Sequence, residues 1–260
     1  MSFEIATFLP LLFAAIGIGA VASLLGLGGG VFMTPLLLLG GFVATQPDAA
    51  GTSIAAVIFT GVSATIAYHK RHAIDFRIGL LFMPTALGGV FLGTYIVRIA
   101  KSSWLTIAFG IFLLYPVILM LFGKTPKELK PIADGEASGL KLYLLIAVLG
   151  LVAGTATKLF GIGGGTVFVP SLVMFLGVDI VTAVATSLFV MVPTALVGSV
   201  TSFIQGTLHL ELAVPLILGI IVGAQIGPRI GARLPKRRLR QLFGLALLYA
   251  AVSMILKGLR

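Results

Sequence analysis

The sequence predicts an all-α integral membrane protein that crosses the bilayer many times. Its 260 residues are 58% hydrophobic and 10% charged, whereas soluble domains carry roughly 25% charged residues. Stretches such as 78–97 and 103–122 contain no Asp, Glu, Lys or Arg. Each reaches the roughly 20 residues that a helix needs to cross the hydrocarbon core. Because several such stretches follow one another, the composition excludes a soluble fold.

The number and placement of the charged residues, the histidines and the cysteines exclude several classes of function. The net charge of +10 comes from lysines and arginines in the short connections between apolar segments. Charges in such positions orient a membrane protein, so we expect no nucleic-acid partner. The chain has no cysteine and three histidines, with no helical histidine pair to suggest a metal site. No catalytic set lies within the apolar segments, so we expect neither a cofactor nor an enzymatic activity.

The two halves of the chain resemble each other at an offset of 134 or 135 residues. The matches are 26–30 with 161–165, Pro35 with Pro170, Thr52-Ser53 with Thr186-Ser187, and Gly89 and Gly93 with Gly223 and Gly227. Collinear matches of this kind indicate a duplicated unit. We therefore predict a first transmembrane repeat over residues 1–122, a polar linker over 123–140 and a second repeat over 141–260.

Each predicted repeat contains five apolar segments, of which the second is short. As helices, segments 31–44 and 166–177 would cover about 18–21 Å, less than the roughly 30 Å core. The sequence leaves open whether they cross, so the chain has eight to ten membrane segments. The segments that bound the repeats are about 7–25, 31–44, 49–67, 77–98 and 103–122, and 141–159, 166–177, 180–204, 211–231 and 238–256.

The lysines and arginines discriminate between these topologies. If the short segments cross, the repeats are inverted and the connections on one side hold thirteen of these residues against five on the other. If they do not cross, the repeats are parallel and the split becomes 9 against 8. Membrane proteins concentrate positive charge on the cytoplasmic side. We therefore predict inverted repeats with both termini in the periplasm.

The paired glycine motifs, each followed by a proline, resemble those of the sulfite exporter TauE/SafE family of bacterial and archaeal permeases. With the Gly89/Gly93 and Gly223/Gly227 pairs, the resemblance covers residues 8–256. It implies a secondary transporter of the cell inner membrane for sulfite, a sulfonate or a related sulfur-containing anion.

The expected partners follow from this resemblance. They are the lipid bilayer, a small anionic substrate and a coupling ion, either a proton or sodium, while oligomerisation is left open. The chain has no GxxxxGK[ST] loop to hydrolyse ATP. The chain therefore cannot energise transport by its own ATP hydrolysis. The alternative function is a channel-like protein or the membrane subunit of a larger transport complex.

The glycine triplets are the main candidates for substrate binding. Each interrupts an apolar run and precedes a short helix, whose first N–H groups lack partners and carry the positive end of the helix dipole. Nearby hydroxyls that could donate to an anion, and the Lys158 ammonium, complete the candidate set. The candidate substrate-binding residues are Gly28, Gly29, Gly30, Thr34, Thr52, Ser53, Lys158, Gly163, Gly164, Gly165, Thr166, Thr186 and Ser187.

Each of these residues also has a structural interpretation. The glycines could permit close packing, and the hydroxyls could bond carbonyls of their own helices. Lys158 sits at a helix end, which favours a side chain that reaches towards the membrane interface over one that contacts substrate. We interpret Asp48 and Asp179 as helix N-caps. The GxxxG glycine pairs are interpreted as packing faces.

Overall fold

The computed structural model describes residues 5–25, 27–69, 73–122, 139–230 and 236–259. Within these ranges the chain forms α-helices joined by short connections and contains no strand. The first five helices are α1 (Ile5–Leu25), α2 (Gly30–Leu39), α3 (Gln46–His69), α4 (Phe76–Ile99) and α5 (Ser102–Phe122). The following five are α6 (Gly139–Phe160), α7 (Gly165–Met174), α8 (Ile180–Ile204), α9 (Leu210–Ile230) and α10 (Lys236–Leu259).

The helices are apolar enough to lie in a bilayer. Four stretches of the described chain satisfy the length and composition of a membrane span: Gln46–Ile66, Phe76–Ile99, Leu142–Phe160 and Val181–Ile204. Parts of the remaining helices are apolar but shorter. Large hydrophobic side chains such as Phe13, Phe91 and Phe203 point outward, as lipid-facing residues do. The prediction of an all-α integral membrane protein is confirmed.

Helices α3 and α8 form the centre of the bundle, and most residues of their spans are buried. They pack against each other, while α1 pairs with α9, α4 with α6 and α5 with α10. Small residues allow these close approaches, because a Cβ atom at Gly89 would fall on the Leu151 carbonyl oxygen and one at Gly223 on that of Ile16. The packing interpretation of these two glycines is confirmed.

Contacts along the helix pairs give the direction of each helix. Gly61 of α3 meets Leu188 and Val192 of α8, whereas Ile54 meets Gly198. Because the residue number falls on one helix as it rises on the other, α3 and α8 are antiparallel.

Helices α5 and α10 are antiparallel as well, because Gly110 lies against Ala251 while Ile107 lies against Gly258. In the predicted duplication, α3 corresponds to α8 and α5 to α10. Corresponding helices therefore run in opposite directions, as an inverted pair of units requires, although the duplication itself stays a prediction.

The two short helices occupy equivalent places. Helices α2 and α7 have 10 residues each and are therefore about 15 Å long, with a proline, Pro35 or Pro170, as the sixth residue. Neither could cross a bilayer core as a helix alone. Each is preceded by a glycine loop, and the loop and short helix together form one pass of the chain through the bundle.

Candidate functional site

The glycine loops fix the starts of the two short helices. Gly29 precedes α2 with φ 85° and Gly164 precedes α7 with φ 77°, both in the left-handed region. Glycine adopts this conformation without the steric cost that a Cβ atom brings. Their carbonyl oxygens accept the first bonds of the helices, from Phe32 and Met33 and from Val167 and Phe168.

Each short helix leaves donors at its start. Helix geometry offers no intrahelical acceptor to the N–H groups of Gly30 and Val31 at the start of α2, nor to those of Gly165 and Thr166 at the start of α7. The aligned peptide dipoles add a partial positive charge of about half an electron at each start. Both loops are therefore suited to an anion by their backbone alone.

The structure brings the two loops into contact, although they are 135 residues apart in sequence. A Cβ atom at Gly30 would fall on the carbonyl oxygen of Gly161. Cβ atoms at Gly28 and Gly163 would both reach the sulfur of Met191, at 2.5 Å in the case of Gly163. Both loops thus contact the same methionine, and the backbone of one loop packs against the backbone of the other.

The loops lie halfway along the central helices. Met191 is the twelfth of the 25 residues of α8, and Val57, which a Cβ atom at Gly163 would also meet, is the twelfth of the 24 residues of α3. The starts of α2 and α7 therefore share one level, which is near the middle of the bilayer if these two helices span it.

Two of the candidate hydroxyls connect α2 and α3 to the second glycine loop and the residue before it. Thr34 Oγ1 donates to the carbonyl oxygen of Phe160 at 2.9 Å and lies 2.7 Å from Ser53 Oγ. Ser53 Oγ lies 3.5 Å from the carbonyl oxygen of Gly161 and 3.2 Å from that of Ala50. Both side chains are fully buried, so Thr34 and Ser53 belong to the same cluster as the glycine loops.

Thr166 differs from these hydroxyls because its buried Oγ1 has no hydrogen-bond partner. It is 2% exposed and lies in the first turn of α7, directly after the glycine triplet. Ser187, by contrast, donates to the Val184 carbonyl of its own helix at 2.8 Å. An unpaired buried hydroxyl costs about 1–3 kcal/mol, and Thr166 is the candidate hydroxyl that neither donates nor accepts a hydrogen bond.

Thr52 and Thr186 occupy equivalent positions away from the loops. Thr52 Oγ1 accepts from the backbone N–H of His209 at 3.1 Å, and Thr186 Oγ1 accepts from that of Asp75 at 3.0 Å. Each threonine thereby holds the residue just before α9 or α4, a helix of the other half. The two Thr-Ser dipeptides therefore serve different purposes: Ser53 lies beside a glycine loop, whereas Thr52 and Thr186 hold the starts of other helices.

Lys158 lies inside the bundle. Its side chain is 4% exposed, and Nζ donates to Ser202 Oγ at 2.6 Å and to the Gly198 carbonyl oxygen at 3.4 Å. The side chain is enclosed by α4, α6 and α8, and its head group lies two residues before the end of α8, so the interpretation that it reaches towards the membrane interface stays a prediction. Ser202 is 11 residues beyond Met191 on α8, or about 16 Å along the axis. The ammonium is thus separate from the glycine loops.

The acidic residues that the structure describes all lie at helix starts. Asp179 caps α8 by accepting from the Val181 N–H at 3.0 Å, as predicted. The cap interpretation of Asp48 is wrong, because Asp48 is already in the first turn of α3. Thr45 takes the capping role, since its hydroxyl accepts from the Asp48 N–H at 3.3 Å and donates to the Asp48 carboxylate at 2.5 Å.

One polar cluster was not predicted. Thr94 Oγ1 lies 3.3 Å from Thr201 Oγ1, and Gln205 donates to the Thr94 carbonyl oxygen at 3.1 Å. Thr201 bonds the same Gly198 carbonyl that Lys158 reaches. In the sequence, only the polar residues at the end of the apolar segment 180–204 indicate this cluster. Met191 carried no signal, since a methionine in an apolar run is indistinguishable from core packing.

Apolar helices around a pair of half-length helices that begin at mid-depth define a polytopic helical membrane protein of the transporter class. The family model described as Sulfite exporter TauE/SafE matches residues 11–254. The chain belongs to this family, as the sequence motifs indicated, and it is a membrane transporter.

Curated relatives agree with this assignment. The chain is 34% identical over 236 residues, 84% of its length and 85% of the other, to "Probable membrane transporter protein YunE" of Bacillus subtilis (strain 168). It is 28% identical over 240 residues to a "Probable membrane transporter protein" of Xylella fastidiosa, covering 92% of this chain and 91% of that protein. An archaeal relative, MJ0441 of Methanocaldococcus jannaschii, is 30% identical over 78% of this chain and 75% of its own. No solved structure matches the chain.

Proposed function

We propose that the protein is a secondary transporter that moves a small oxyanion, namely sulfite, a sulfonate or a related sulfur-containing anion, across the cell inner membrane. The observation that carries this proposal is that two helix starts meet next to Met191, halfway along α8. The family name supports the choice of substrate class.

The anion would be held mainly by backbone. Two helix starts together offer the four N–H groups of Gly30, Val31, Gly165 and Thr166 and two positive dipole ends, which suit a tetrahedral or pyramidal oxyanion. Glycine at positions 30 and 165 adds no Cβ atom beside these N–H groups. The Thr166 hydroxyl, buried and without a partner, is positioned to add a side-chain donor.

A site without a fixed charge suits a carrier. Hydrogen bonds from neutral donors can hold an anion firmly enough to select it while still releasing it on the other side. The loops lie between two units whose corresponding helices are antiparallel, and transporters with inverted repeats open alternately to the two sides of such a site. Alternating access at the contact between the loops is therefore the mechanism that we propose.

Transport by the purified protein tests this proposal. Proteoliposomes that contain only this chain should accumulate labelled sulfite, sulfate or methanesulfonate with saturation and without ATP. Dependence on an added ATPase would instead identify a subunit of a larger complex, and uptake that never saturates would identify a channel.

The variant Gly29→Ala tests the site. A Cβ atom at Gly29 would lie 3.3 Å from its nearest side-chain neighbours and would cover the start of α2. We expect anion uptake at subsaturating concentration to fall about tenfold, which corresponds to a loss of about 1.4 kcal/mol. Gly41→Ala is the matched control, because Gly41 has φ 74° with nothing within 4 Å of an added Cβ. It carries the same backbone strain outside the site, so equal losses of uptake in both variants would refute the glycine-loop site.

A further inference from the structure

Five oxygen atoms come together where α6 ends, beside the second glycine loop. They are the hydroxyl oxygens of Thr34 and Ser53 and the carbonyl oxygens of Ala50, Phe160 and Gly161. Thr34 Oγ1 lies 2.7 Å from Ser53 Oγ and 2.9 Å from the Phe160 oxygen. Ser53 Oγ lies 3.2 Å from the Ala50 oxygen and 3.5 Å from the Gly161 oxygen. Because only the two hydroxyls bring protons, this oxygen cluster presents mainly lone pairs.

The position of the oxygen cluster adds to its negative character. Helix α6 ends at Phe160, and the last carbonyl groups of a helix carry the negative end of its dipole. The Lys158 ammonium, from the last turn of the same helix, bonds groups of α8 instead. These surroundings therefore suit a cation.

The spacing of the oxygens suits a small monovalent cation. A sodium ion has nearly the radius of Ca²⁺, whose oxygen ligands lie at about 2.3–2.6 Å. Ligands at right angles around such an ion are about 3.3–3.7 Å apart, so shifts of less than about 1 Å would open the oxygen cluster around it. Divalent ions prefer carboxylates, whereas this cluster consists of hydroxyl and carbonyl oxygens alone.

Gly161 allows the oxygens of α3 to approach the loop. Its φ is 68°, and an added Cβ atom would lie 2.5 Å from both the Ala50 oxygen and Ser53 Oγ. The Gly161 carbonyl oxygen also packs on Gly30, the first residue of α2. One peptide group therefore belongs to the oxygen cluster and also borders a helix start of the proposed anion site.

We propose that the oxygen cluster binds a sodium ion, which crosses the membrane together with the anion. This inference rests on the proposed function. The break between α6 and α7 presents a negative dipole end to the cation and a positive dipole end to the anion, as interrupted helices of other transporters do. Since opposite charges lie close together, each bound ion favours binding of the other.

The same movement would open both sites. Ser53 precedes Val57 by four residues, about 6 Å along α3, so the oxygen cluster lies near the level of the glycine loops. Helices α2 and α3 supply three of its oxygens, and the chain at the end of α6 supplies the other two. Alternating access at the contact between the loops therefore separates the ligands of the cation together with those of the anion.

The oxygen cluster has no full counterpart in the other half of the chain. The position that corresponds to Thr34 is Val169, which has no hydroxyl. The position that corresponds to Ser53 is Ser187, whose hydroxyl bonds the Val184 carbonyl of its own helix. We therefore expect one sodium ion to accompany each anion.

Uptake in proteoliposomes with defined cations tests the inference. An inward gradient of Na⁺ should drive accumulation of labelled methanesulfonate, with about one labelled Na⁺ entering per anion. Replacement of Na⁺ by K⁺ or choline at constant ionic strength should abolish accumulation, and equal Na⁺ on both sides should allow equilibration only. If sulfite alone is transported, it takes the place of methanesulfonate at fixed pH.

Substitutions of the two hydroxyl residues separate ion binding from folding. Ser53→Ala and Thr34→Val each remove one ligand, so the Na⁺ concentration for half-maximal uptake should rise about tenfold or more. Thr34→Ser keeps the hydroxyl and should keep a value near that of the wild type. Ser171→Ala is the matched control, because this buried serine bonds the Val167 carbonyl of its own helix at 2.7 Å, and its half-saturating Na⁺ concentration should be unchanged.

Thermal melting in detergent measures the cation site without transport. Na⁺ should raise the melting temperature of the wild type relative to K⁺, because a ligand of the folded state stabilises it, and Ser53→Ala should lose this difference. Equal accumulation in Na⁺ and K⁺, accumulation without a Na⁺ gradient, or unchanged half-saturation in folded Ser53→Ala and Thr34→Val overturns the inference alone. Absence of uptake for sulfite, sulfate and methanesulfonate overturns the proposed function and co-transport, whereas stabilisation by Na⁺ that depends on Ser53 would still support the cation site.

Discussion

Two buried threonines near the glycine loops differ in the hydrogen bonds that their hydroxyl groups make. Thr34 donates to the Phe160 carbonyl and contacts Ser53, so its hydroxyl joins α2 to the end of α6. Thr166 is as deeply buried, yet its hydroxyl has no partner. The first arrangement stabilises the fold, and the second costs stability in the absence of a ligand. An unpartnered donor next to a helix start is therefore the more informative of the two for binding.

Valine replacements at these positions should have opposite effects. Thr34→Val removes a donor and leaves the Phe160 carbonyl unpaired, so we expect a loss of about 1–3 kcal/mol of stability and a lower melting temperature. Thr166→Val removes an unpaired hydroxyl with little change in shape, so stability should stay equal or rise by up to about 1 kcal/mol while sulfite binding weakens. Thermal melting in detergent at one scan rate, with and without sulfite, measures both. A Thr166→Val protein with wild-type sulfite stabilisation would show that this hydroxyl does not contact the anion.

At the scale of elements, the outer helix pairs approach so closely that backbone touches backbone. Gly89 of α4 packs on the Leu151 carbonyl of α6, and Gly223 of α9 packs on the Ile16 carbonyl of α1. Without a hydrophobic driving force between helices in lipid, such close contact supplies much of the association energy.

Alanine at Gly89 or Gly223 should therefore separate a helix pair. The added Cβ atoms would overlap carbonyl oxygens, which cannot move independently of their helices, so we expect a cost of about 1–3 kcal/mol each. Gly17→Ala in α1 is the control, since nothing lies within 4 Å of its added Cβ. Melting temperatures in detergent compare the three variants. Unchanged melting in Gly89→Ala and Gly223→Ala would contradict this close packing.

At the scale of the molecule, the antiparallel course of α3 with α8 and of α5 with α10 agrees with the charge distribution. The contacts of these helices place the ends of α3 and α9 at one end of the bundle and the ends of α4 and α8 at the other. The first end contains most of the lysines and arginines, so we propose that it faces the cytoplasm. The same proposal places Ile5 at the start of α1 and Leu259 at the end of α10 on the periplasmic side.

Single cysteines test this orientation, because the natural chain has none. Lys127→Cys lies in the linker, outside the described residues, and Lys101→Cys lies between α4 and α5. An impermeant thiol reagent on intact cells should label position 101 and leave position 127 unlabelled until the membrane is permeabilised. The reverse pattern would invert the proposed topology, and labelling of both positions would contradict the alternating passes.

The sequence determined the class of this protein, its apolar segments and the positions of its glycine loops. Each of these follows from local properties, namely hydropathy over about 20 residues and the need for glycine at left-handed positions. The helix ends fall within a few residues of the predicted segments, except that α2 and α7 end earlier, at Leu39 and Met174, because hydropathy does not distinguish a helix from the apolar connection that follows it.

Only the tertiary structure decided which residues meet. The contact of both loops with Met191, the bond from Thr34 to Phe160 and the bond from Lys158 to Ser202 join helices that are far apart in the chain. Such contacts depend on how helices cross and rotate, which small differences in packing determine and no periodic pattern encodes. For the same reason, the sequence shows that Lys158 lies at a helix end, but only the structure shows that α4 and α8 enclose its side chain.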